Sequence, residues 1–146
     1  MLFRSKTIAG RTNLVKANGM NVIDDCYNAN PVSMEAALDV LSHAKGRTIA
    51  VLGDMGELGE NEKELHFGVG KCVAEKQIHT LFCAGALATE YKNGVEAVGT
   101  ECKVYHFENR DDMITALLEY VEAGDNILIK ASHFMDFPKV VEALTK

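Results

Sequence analysis

The sequence lacks the features that mark membrane proteins and nucleic-acid-binding surfaces. No apolar run approaches the roughly 18 residues that a membrane-spanning helix needs, and the N-terminus has no hydrophobic segment typical of a signal peptide. Basic residues number 15 against 21 acidic ones, which argues against a clustered positive face for nucleic acid or anionic lipid. We therefore expect a soluble, cytoplasmic protein that binds neither nucleic acid nor membrane.

Motifs for several common catalytic sites are also absent. The chain contains no HExxH, GxSxG or GxxxxGK[ST], so any ATP that it meets is not held by a P-loop of its own. The histidines have no ligand-like spacing, we expect no metal site, and His66 is better explained as solvated or structural than as functional. The cysteines form no CxxC pair and lie in apolar or strand-like segments, so we expect buried free thiols in a reducing compartment at Cys26, Cys72, Cys83 and Cys102.

Strand and helix patterns alternate along the 146 residues, a length that suits one domain. Apolar runs and an Asn-Gly turn predict strands over 14–17, 20–25, 47–54, 79–85, 102–107 and 126–132. Apolar residues at helical spacing predict helices from 31 to a stop at 46, and over 61–76, 87–98, 111–123 and 138–144. The predicted fold is Rossmann-like α/β, with a mainly parallel sheet, helices on both faces and an N-terminal antiparallel hairpin at the edge. The sequence gives no indication of an oligomeric state.

The corner between the second strand and the first helix, VIDDCYNANP, is unusually polar. Asn30 is placed to cap the helix, with Pro31 at its first position. Asp24 and Asp25 point to opposite faces of a continuing strand, so at most one of them is directed inward.

Capping leaves Asp25, Tyr27 and Asn28 unexplained. A carboxylate, a phenol ring and an amide suit a nucleoside, with the acid on ribose hydroxyls and the ring and amide on the base. Ligands in such sheets gather at the carboxyl ends of the strands, where this corner lies.

A second polar loop, GDMGELGENE, follows the third strand. Its glycines have the spacing GxxGxxG instead of the GxGxxG of a dinucleotide site, and its interleaved carboxylates would oppose phosphate, so NAD binding is not favoured. Two explanations of the loop stay open. It supplies turn flexibility and favourable charge at a helix N-terminus, or it attracts a cation or an ammonium group.

Together these segments resemble a known family. The stretch DDCYNANPVSMEAALDVL, followed by RTIAVLGDMGELG and a helix bearing ELH, is similar to the C-terminal domain of Mur ligases, in particular those that add D-alanyl-D-alanine to UDP-N-acetylmuramoyl-tripeptide. The similarity extends back to GRTNLVK and forward to ILIKASHFM. It implies that 10–146 form this domain, that 1–9 are an interdomain connection or an end of the expressed chain, and that the N-terminal and central ATPase domains lie outside the sequence.

The resemblance also implies a reaction in peptidoglycan synthesis. Such a ligase uses ATP and Mg²⁺, bound mainly by the central domain, to activate the tripeptide carboxylate as an acyl phosphate that the dipeptide amine then attacks. The C-terminal domain closes over ATP, helps to bind the dipeptide and is inactive alone. One alternative is a free-standing Rossmann-like binding module without catalysis; another, an NAD-dependent oxidoreductase, is disfavoured by the glycine spacing.

Roles for single residues follow from the resemblance. Arg11 matches a catalytic arginine that contacts the ATP phosphates on domain closure, and Asp25 matches an acidic residue that contacts ATP, with Asp24 as the second choice. The remaining residues expected to border the nucleotide are Tyr27, Asn28 and Asn30.

The expected dipeptide site lies on the two later loops. Asp54 or Glu57 is our candidate for the dipeptide ammonium group, and Lys130 and Ser132 form a polar site at the end of the last strand. Ser132 either contacts substrate or only caps the following turn. Relatives commonly read KGSRGM where this chain has KASHFM, so His133 replaces a permanently charged arginine.

Overall fold

Six strands form a single sheet in the computed structural model, which describes residues 13–26 and 29–146. The strands are β1 (Asn13–Ala17), β2 (Met20–Asp25), β3 (Thr48–Gly53), β4 (Thr80–Ala84), β5 (Lys103–Phe107) and β6 (Asn126–Lys130). Their order across the sheet is β1-β2-β6-β3-β4-β5. β1 runs antiparallel to β2 and all other pairs are parallel, which confirms the predicted fold class.

Five helices cover the two faces of this sheet. They are α1 (Pro31–Ser42), α2 (Glu62–Glu75), α3 (Ala88–Val98), α4 (Arg110–Tyr120) and α5 (Pro138–Thr145). Apolar residues of α1, α2 and α3 pack in one core layer, and those of α4 and α5 pack in the other. Within the described ranges, no helix is long and apolar enough to span a membrane.

The central strands are buried along their whole length. Every residue of β3, β4 and β6 is buried, as their continuous apolar runs predict for strands covered on both faces. In β6, the side chains of Ile127, Leu128 and Ile129 alternate between the two core layers, and each contributes about 1.5–3 kcal/mol by leaving water. β5 is more exposed because it forms the sheet edge.

The N-terminal hairpin has the predicted turn. Asn18 and Gly19 have φ of 56° and 80°, as a two-residue turn between twisted strands requires. The side-chain nitrogen Nδ2 of Asn18 donates to the carbonyl of Leu144 at 2.9 Å, which connects the hairpin to α5.

Helices α2 and α3 cross in close contact because glycines face each other. A Cβ on Gly70 would collide with the carbonyl oxygen of Tyr91, and one on Gly94 would collide with that of Phe67. The close approach brings the rings of His66 and Tyr91 to a centroid separation of 5.0 Å. Both side chains thereby reach the loop that follows β3.

Several element ends differ from the sequence prediction, and two of these differences have an identifiable cause. Helix α4 ends at Tyr120 instead of residue 123, because the carboxylate of Asp125 accepts a hydrogen bond from the Glu122 N–H and holds the chain in a turn. Strand β6 ends at Lys130 instead of residue 132, because the Ser132 N–H donates to the carbonyl of Asp54 on the neighbouring loop.

The four cysteines are free thiols, as predicted. Cys26, Cys72 and Cys83 are buried, whereas the expectation of burial is wrong for Cys102, which is only partly covered beside the edge strand. Burial raises the pKa of the Cys83 thiol to about 12 and that of Cys102 to about 11. Both thiols are therefore protonated and unreactive near neutral pH.

Candidate functional site

The polar loops singled out in the sequence meet at one edge of the sheet. Because β2, β6 and β3 are parallel neighbours, their carboxyl ends lie side by side. We call this region the carboxyl edge and define it as residues 25, 26, 29, 30, 53–61 and 130–135. It contains Asp25, Asn30, Asp54, Glu57, Lys130 and Ser132 among the predicted site residues.

Asp25 and Lys130 form an ion pair at the base of the carboxyl edge. They are direct partners in the parallel register of β2 and β6, and Lys130 Nζ donates to Asp25 Oδ2 at 2.7 Å. Their side chains are 11% and 3% exposed, so both charges are largely removed from water. The sequence assigned these residues to different ligands, whereas the fold makes them partners.

A cavity of about 280 Å³ lies beside this pair, between β2 and α1. Its lining is mostly apolar and includes, besides, the two charged side chains and one serine. The lining residues are Ile23, Asp25, Ser33, Ala36, Ala37, Val40 and Lys130. Of the two adjacent acids, Asp25 is thus the one that lines this cavity, which is open to solvent; Asp24 lies on the opposite side of the strand and is half-buried.

Asn30 caps helix α1, as predicted. Its side-chain oxygen accepts from the Ser33 N–H at 2.9 Å, and the Ser33 hydroxyl accepts from the Asn30 N–H at 3.1 Å. Pro31 follows at the first helical position. This reciprocal pair satisfies donors that a helix start leaves unpaired, and it fixes the corner after β2.

The loop after β3 is held from below by two aromatic side chains. The Met55 N–H donates to His66 Nε2 at 3.0 Å, and His66 Nδ1 donates to the Glu62 carbonyl at 2.7 Å, which requires a neutral ring with its proton on Nδ1. The Tyr91 hydroxyl donates to the Gly53 carbonyl at 2.7 Å. His66 is fully buried, so the structural explanation of this histidine is confirmed.

Ser132 holds the same loop from the β6 side. Its hydroxyl accepts from the Gly56 N–H at 2.6 Å, and its own N–H donates to the Asp54 carbonyl at 3.0 Å. The Ser132 side chain makes no capping bond to the turn at His133–Met135, so the capping alternative is wrong. Ser132 instead connects the glycine loop to the end of β6.

The Asp54 carboxylate is directed inward, toward α3. One oxygen accepts from the Ala86 N–H at 3.0 Å and the other from the Leu87 N–H at 3.1 Å. Burial raises the pKa of Asp54 above its usual range, and the hydrogen bond from Leu87 opposes that rise. The protein's own carboxylate therefore occupies the start of α3, where a bound phosphate would otherwise be favoured.

Glu57 has the opposite placement. It is exposed, with a left-handed backbone at φ 58°, and it lines a second cavity of about 470 Å³. This cavity is bounded by Ala29, Asn30, Gly56, Glu57, Leu58, Ser132, His133 and Phe134. Of the two loop carboxylates proposed for an ammonium group, only Glu57 presents its charge to a cavity.

Three of the predicted site residues, Arg11, Tyr27 and Asn28, lie outside the described residues. Sequence reasoning missed the pairing of Asp25 with Lys130 and the bond from Met55 to His66. The sequence does place His66 one helical turn after Glu62, and this spacing lets the His66 ring reach the Glu62 carbonyl. The described ranges contain no group of three or more His, Cys, Asp or Glu residues that could hold a metal ion.

The chain is similar to known proteins over nearly its whole length. The family model described as Mur ligase, glutamate ligase domain, matches residues 10–133. UDP-N-acetylmuramoyl-tripeptide–D-alanyl-D-alanine ligase of Bacillus subtilis is 33% identical, over 95% of this chain and 31% of that protein. The ligase of the same description from Treponema pallidum is 34% identical, over 98% of this chain and 31% of that protein.

Solved structures agree with these relatives. A crystal structure of MurF from Acinetobacter baumannii has a TM-score of 0.84 and 28% identity, over 95% of this chain and 30% of that one. The MurF ligase of Thermotoga maritima, in complex with ADP, has a TM-score of 0.77 and 27% identity, over 95% of this chain and 31% of that one. The chain spans about a third of the length of these relatives. A family-model match over most of the sequence shows that the chain belongs to the glutamate ligase domain family of Mur ligases.

Proposed function

We propose that this chain is the C-terminal domain of a cytoplasmic ligase that adds D-alanyl-D-alanine to UDP-N-acetylmuramoyl-tripeptide in peptidoglycan synthesis, using ATP. The observation that carries the proposal is the similarity to ligases described by that reaction, together with the meeting of the polar loops at one edge. Residues 10–146 would form the domain. The nucleotide-binding ATPase domain and the UDP-substrate domain would lie elsewhere in the complete polypeptide.

The nucleotide side of the proposed site is the corner after β2. Asp25 supplies a carboxylate there, which would accept hydrogen bonds from ribose hydroxyls, with Asp24 as the second choice. Tyr27, Asn28 and Asn30 would border the nucleotide. The ADP complex of the Thermotoga maritima relative supports a nucleotide in a ligase of this kind.

Mg²⁺ would be held mainly by the central ATPase domain, as the resemblance to Mur ligases implies. Arg11 would approach the ATP phosphates as the domains close, and its charge would stabilise negative charge on the transferred phosphoryl group. Closure would also exclude water, which protects an activated carboxylate from hydrolysis before the dipeptide amine attacks.

The dipeptide side would be the 470 Å³ cavity, a size that accommodates a small polar ligand. Glu57 is our choice for its ammonium group, since both oxygens of Asp54 already accept backbone hydrogen bonds. Ser132 would act mainly by fixing the loop that carries Glu57. His133, which lines the same cavity, would offer no permanent charge to the dipeptide carboxylate.

The test is ligase turnover by the complete polypeptide that carries this chain. Phosphate release is measured with ATP, UDP-N-acetylmuramoyl-tripeptide and D-alanyl-D-alanine together. The measurement is repeated without the tripeptide substrate and again without the dipeptide. We expect release only when all three are present, and no turnover from the 146-residue chain alone. Release that does not depend on the dipeptide, or turnover by the isolated chain, would contradict the proposal.

A further inference from the structure

The Asp25–Lys130 pair is a poor stabilising element by ordinary physical standards. Both side chains are almost fully buried and joined by a single hydrogen bond of 2.7 Å. Removing two charges from water is costly, and well-packed apolar residues often give equal or greater stability at such sites. A stabilising role alone therefore does not account for charges at these two positions.

The geometry of the pair leaves one side of the acid available. Lys130 Nζ contacts Oδ2 of Asp25, and Oδ1 makes no hydrogen bond within the described residues. The pair lines the 280 Å³ cavity beside α1. The ammonium group thus fixes the carboxylate by one oxygen, and no described residue donates to the other, which a ligand donor could therefore reach.

Lys130 is buried on the Asp25 side of the carboxyl edge, away from the cavity proposed for the dipeptide. Its side chain is 3% exposed, and its direct strand partner is Asp25. The cavity proposed for the dipeptide is lined by Ser132, His133 and Phe134 from the same strand end, but Lys130 does not line it. The position of Lys130 therefore connects it to the acid on the nucleotide side.

We propose that Lys130 is a positioning residue that holds the Asp25 carboxylate for the nucleotide, instead of a ligand of the dipeptide. The inference rests on the proposed function, because it assumes that Asp25 contacts ATP. Lys130 acts through Asp25: it keeps the carboxylate in one orientation, so that Oδ1 meets a ribose hydroxyl without reorganising. Loss of the ammonium group would let the carboxylate rotate toward solvent.

The experiment compares Lys130→Met, Lys130→Arg and Asp25→Asn in the complete ligase polypeptide, with KM for ATP, KM for D-alanyl-D-alanine and kcat measured separately. Lys130→Met is expected to raise the KM for ATP about tenfold, because one charge-assisted hydrogen bond is lost. The KM for D-alanyl-D-alanine should stay within about twofold of its value in the unmutated ligase. Lys130→Arg is expected to recover most of the ATP affinity. Lys76→Met, which breaks the exposed pair with Asp39, is the matched control and should change none of the three constants.

A double variant separates positioning from direct contact. If Lys130 acts through Asp25, then Asp25→Asn with Lys130→Met binds ATP no more weakly than Asp25→Asn alone. The inference would be overturned if the double variant bound ATP more weakly than Asp25→Asn alone. It would also be overturned if Lys130→Met left the KM for ATP unchanged, or raised the KM for D-alanyl-D-alanine and not that for ATP. Asp25→Asn with Lys130→Gln, a neutral pair that can still form a hydrogen bond, replaces any single variant whose melting temperature shows that it does not fold.

The same comparison is made on ADP affinity by calorimetry, which does not depend on turnover. A polypeptide that binds ADP, shows the predicted Lys130 effect and yet lacks dipeptide-dependent turnover would contradict the proposed function alone. A polypeptide with full turnover and an ADP affinity that Lys130→Met does not change would contradict the positioning role alone.

Discussion

The two ends of the sheet each contain an ion pair, but the pairs are built differently. At the opposite end from the carboxyl edge, Arg47 donates from Nε and Nη2 to the two oxygens of Asp125 at 2.9 and 2.7 Å. Nη2 also donates to the Tyr120 carbonyl, and the guanidinium lies 4.3 Å from the centre of the Tyr120 ring. One Asp125 oxygen accepts a third bond, from the Glu122 N–H. Both Asp125 oxygens are thus engaged within the protein.

Asp25 is joined to Lys130 through one oxygen only, beside a cavity. A bidentate, stacked pair with fixed geometry suits a structural joint, whereas a single contact next to open space leaves an acceptor for something else. Burial of a charge therefore does not by itself identify a functional site. What distinguishes the carboxyl edge is that one oxygen of Asp25 accepts no hydrogen bond from any residue in 13–26 and 29–146.

The strongest test of this contrast is Arg47→Met. It leaves the Asp125 carboxylate, 2% exposed, without its charged partner, so we expect the free energy of unfolding to fall by about 3 kcal/mol. Urea denaturation of the 146-residue chain measures this, with Lys76→Met as a surface-pair control that should cost less than about 0.5 kcal/mol. A loss as small as that of the control would mean that the Arg47 pair is not a structural joint.

A smaller effect is expected from the two asparagine caps. Asn30 accepts from the Ser33 N–H at 2.9 Å and Asn109 accepts from the Asp112 N–H at 2.8 Å, so alanine at either position should cost about 1 kcal/mol of stability. In the complete polypeptide, only Asn30→Ala should also raise the KM for ATP, because only Asn30 lies at the corner proposed for the nucleotide. An equal KM for ATP in the two variants would mean that Asn30 only caps the helix and does not border the nucleotide.

The smallest expected effect concerns the glycine loop. Glu57→Gln in the complete ligase should raise the KM for D-alanyl-D-alanine about fivefold, since an exposed carboxylate contributes about 1 kcal/mol to an ammonium partner. Glu60→Gln is the matched control, because Glu60 is exposed on the same loop but does not line the cavity. The effect of Glu57→Gln should shrink as salt is raised. An equal KM for D-alanyl-D-alanine in the two variants would mean that Glu57 does not contact the dipeptide.

Much of the fold could be predicted from local patterns. The Asn18-Gly19 turn, the Asn30 cap and the apolar run of β3 each follow from residues near one another in sequence. Helix α4 was predicted too long because Asp125, which redirects the chain after Tyr120, acts through a side-chain bond that periodicity does not report.

The candidate site could be predicted less completely, since its contacts join distant segments. The sequence indicated that Asp25 and Lys130 are both polar strand ends, but their pairing depends on β6 lying next to β2, 105 residues away along the chain. Asp54 and Glu57 are equivalent in the sequence as loop carboxylates. Only the fold turns the first toward α3 and the second toward a cavity.

The strand order has a consequence for how the protein forms during synthesis. β2 and β3 are joined through α1 in sequence but are never neighbours in the sheet, because β6 lies between them. Until β6 leaves the ribosome, the sheet exists as two separate halves with unpaired central edges. Folding must therefore wait for nearly the whole domain, and such long-range parallel pairing is intrinsically slow. A nascent chain stalled before Asn126 would expose two apolar strand edges to aggregation.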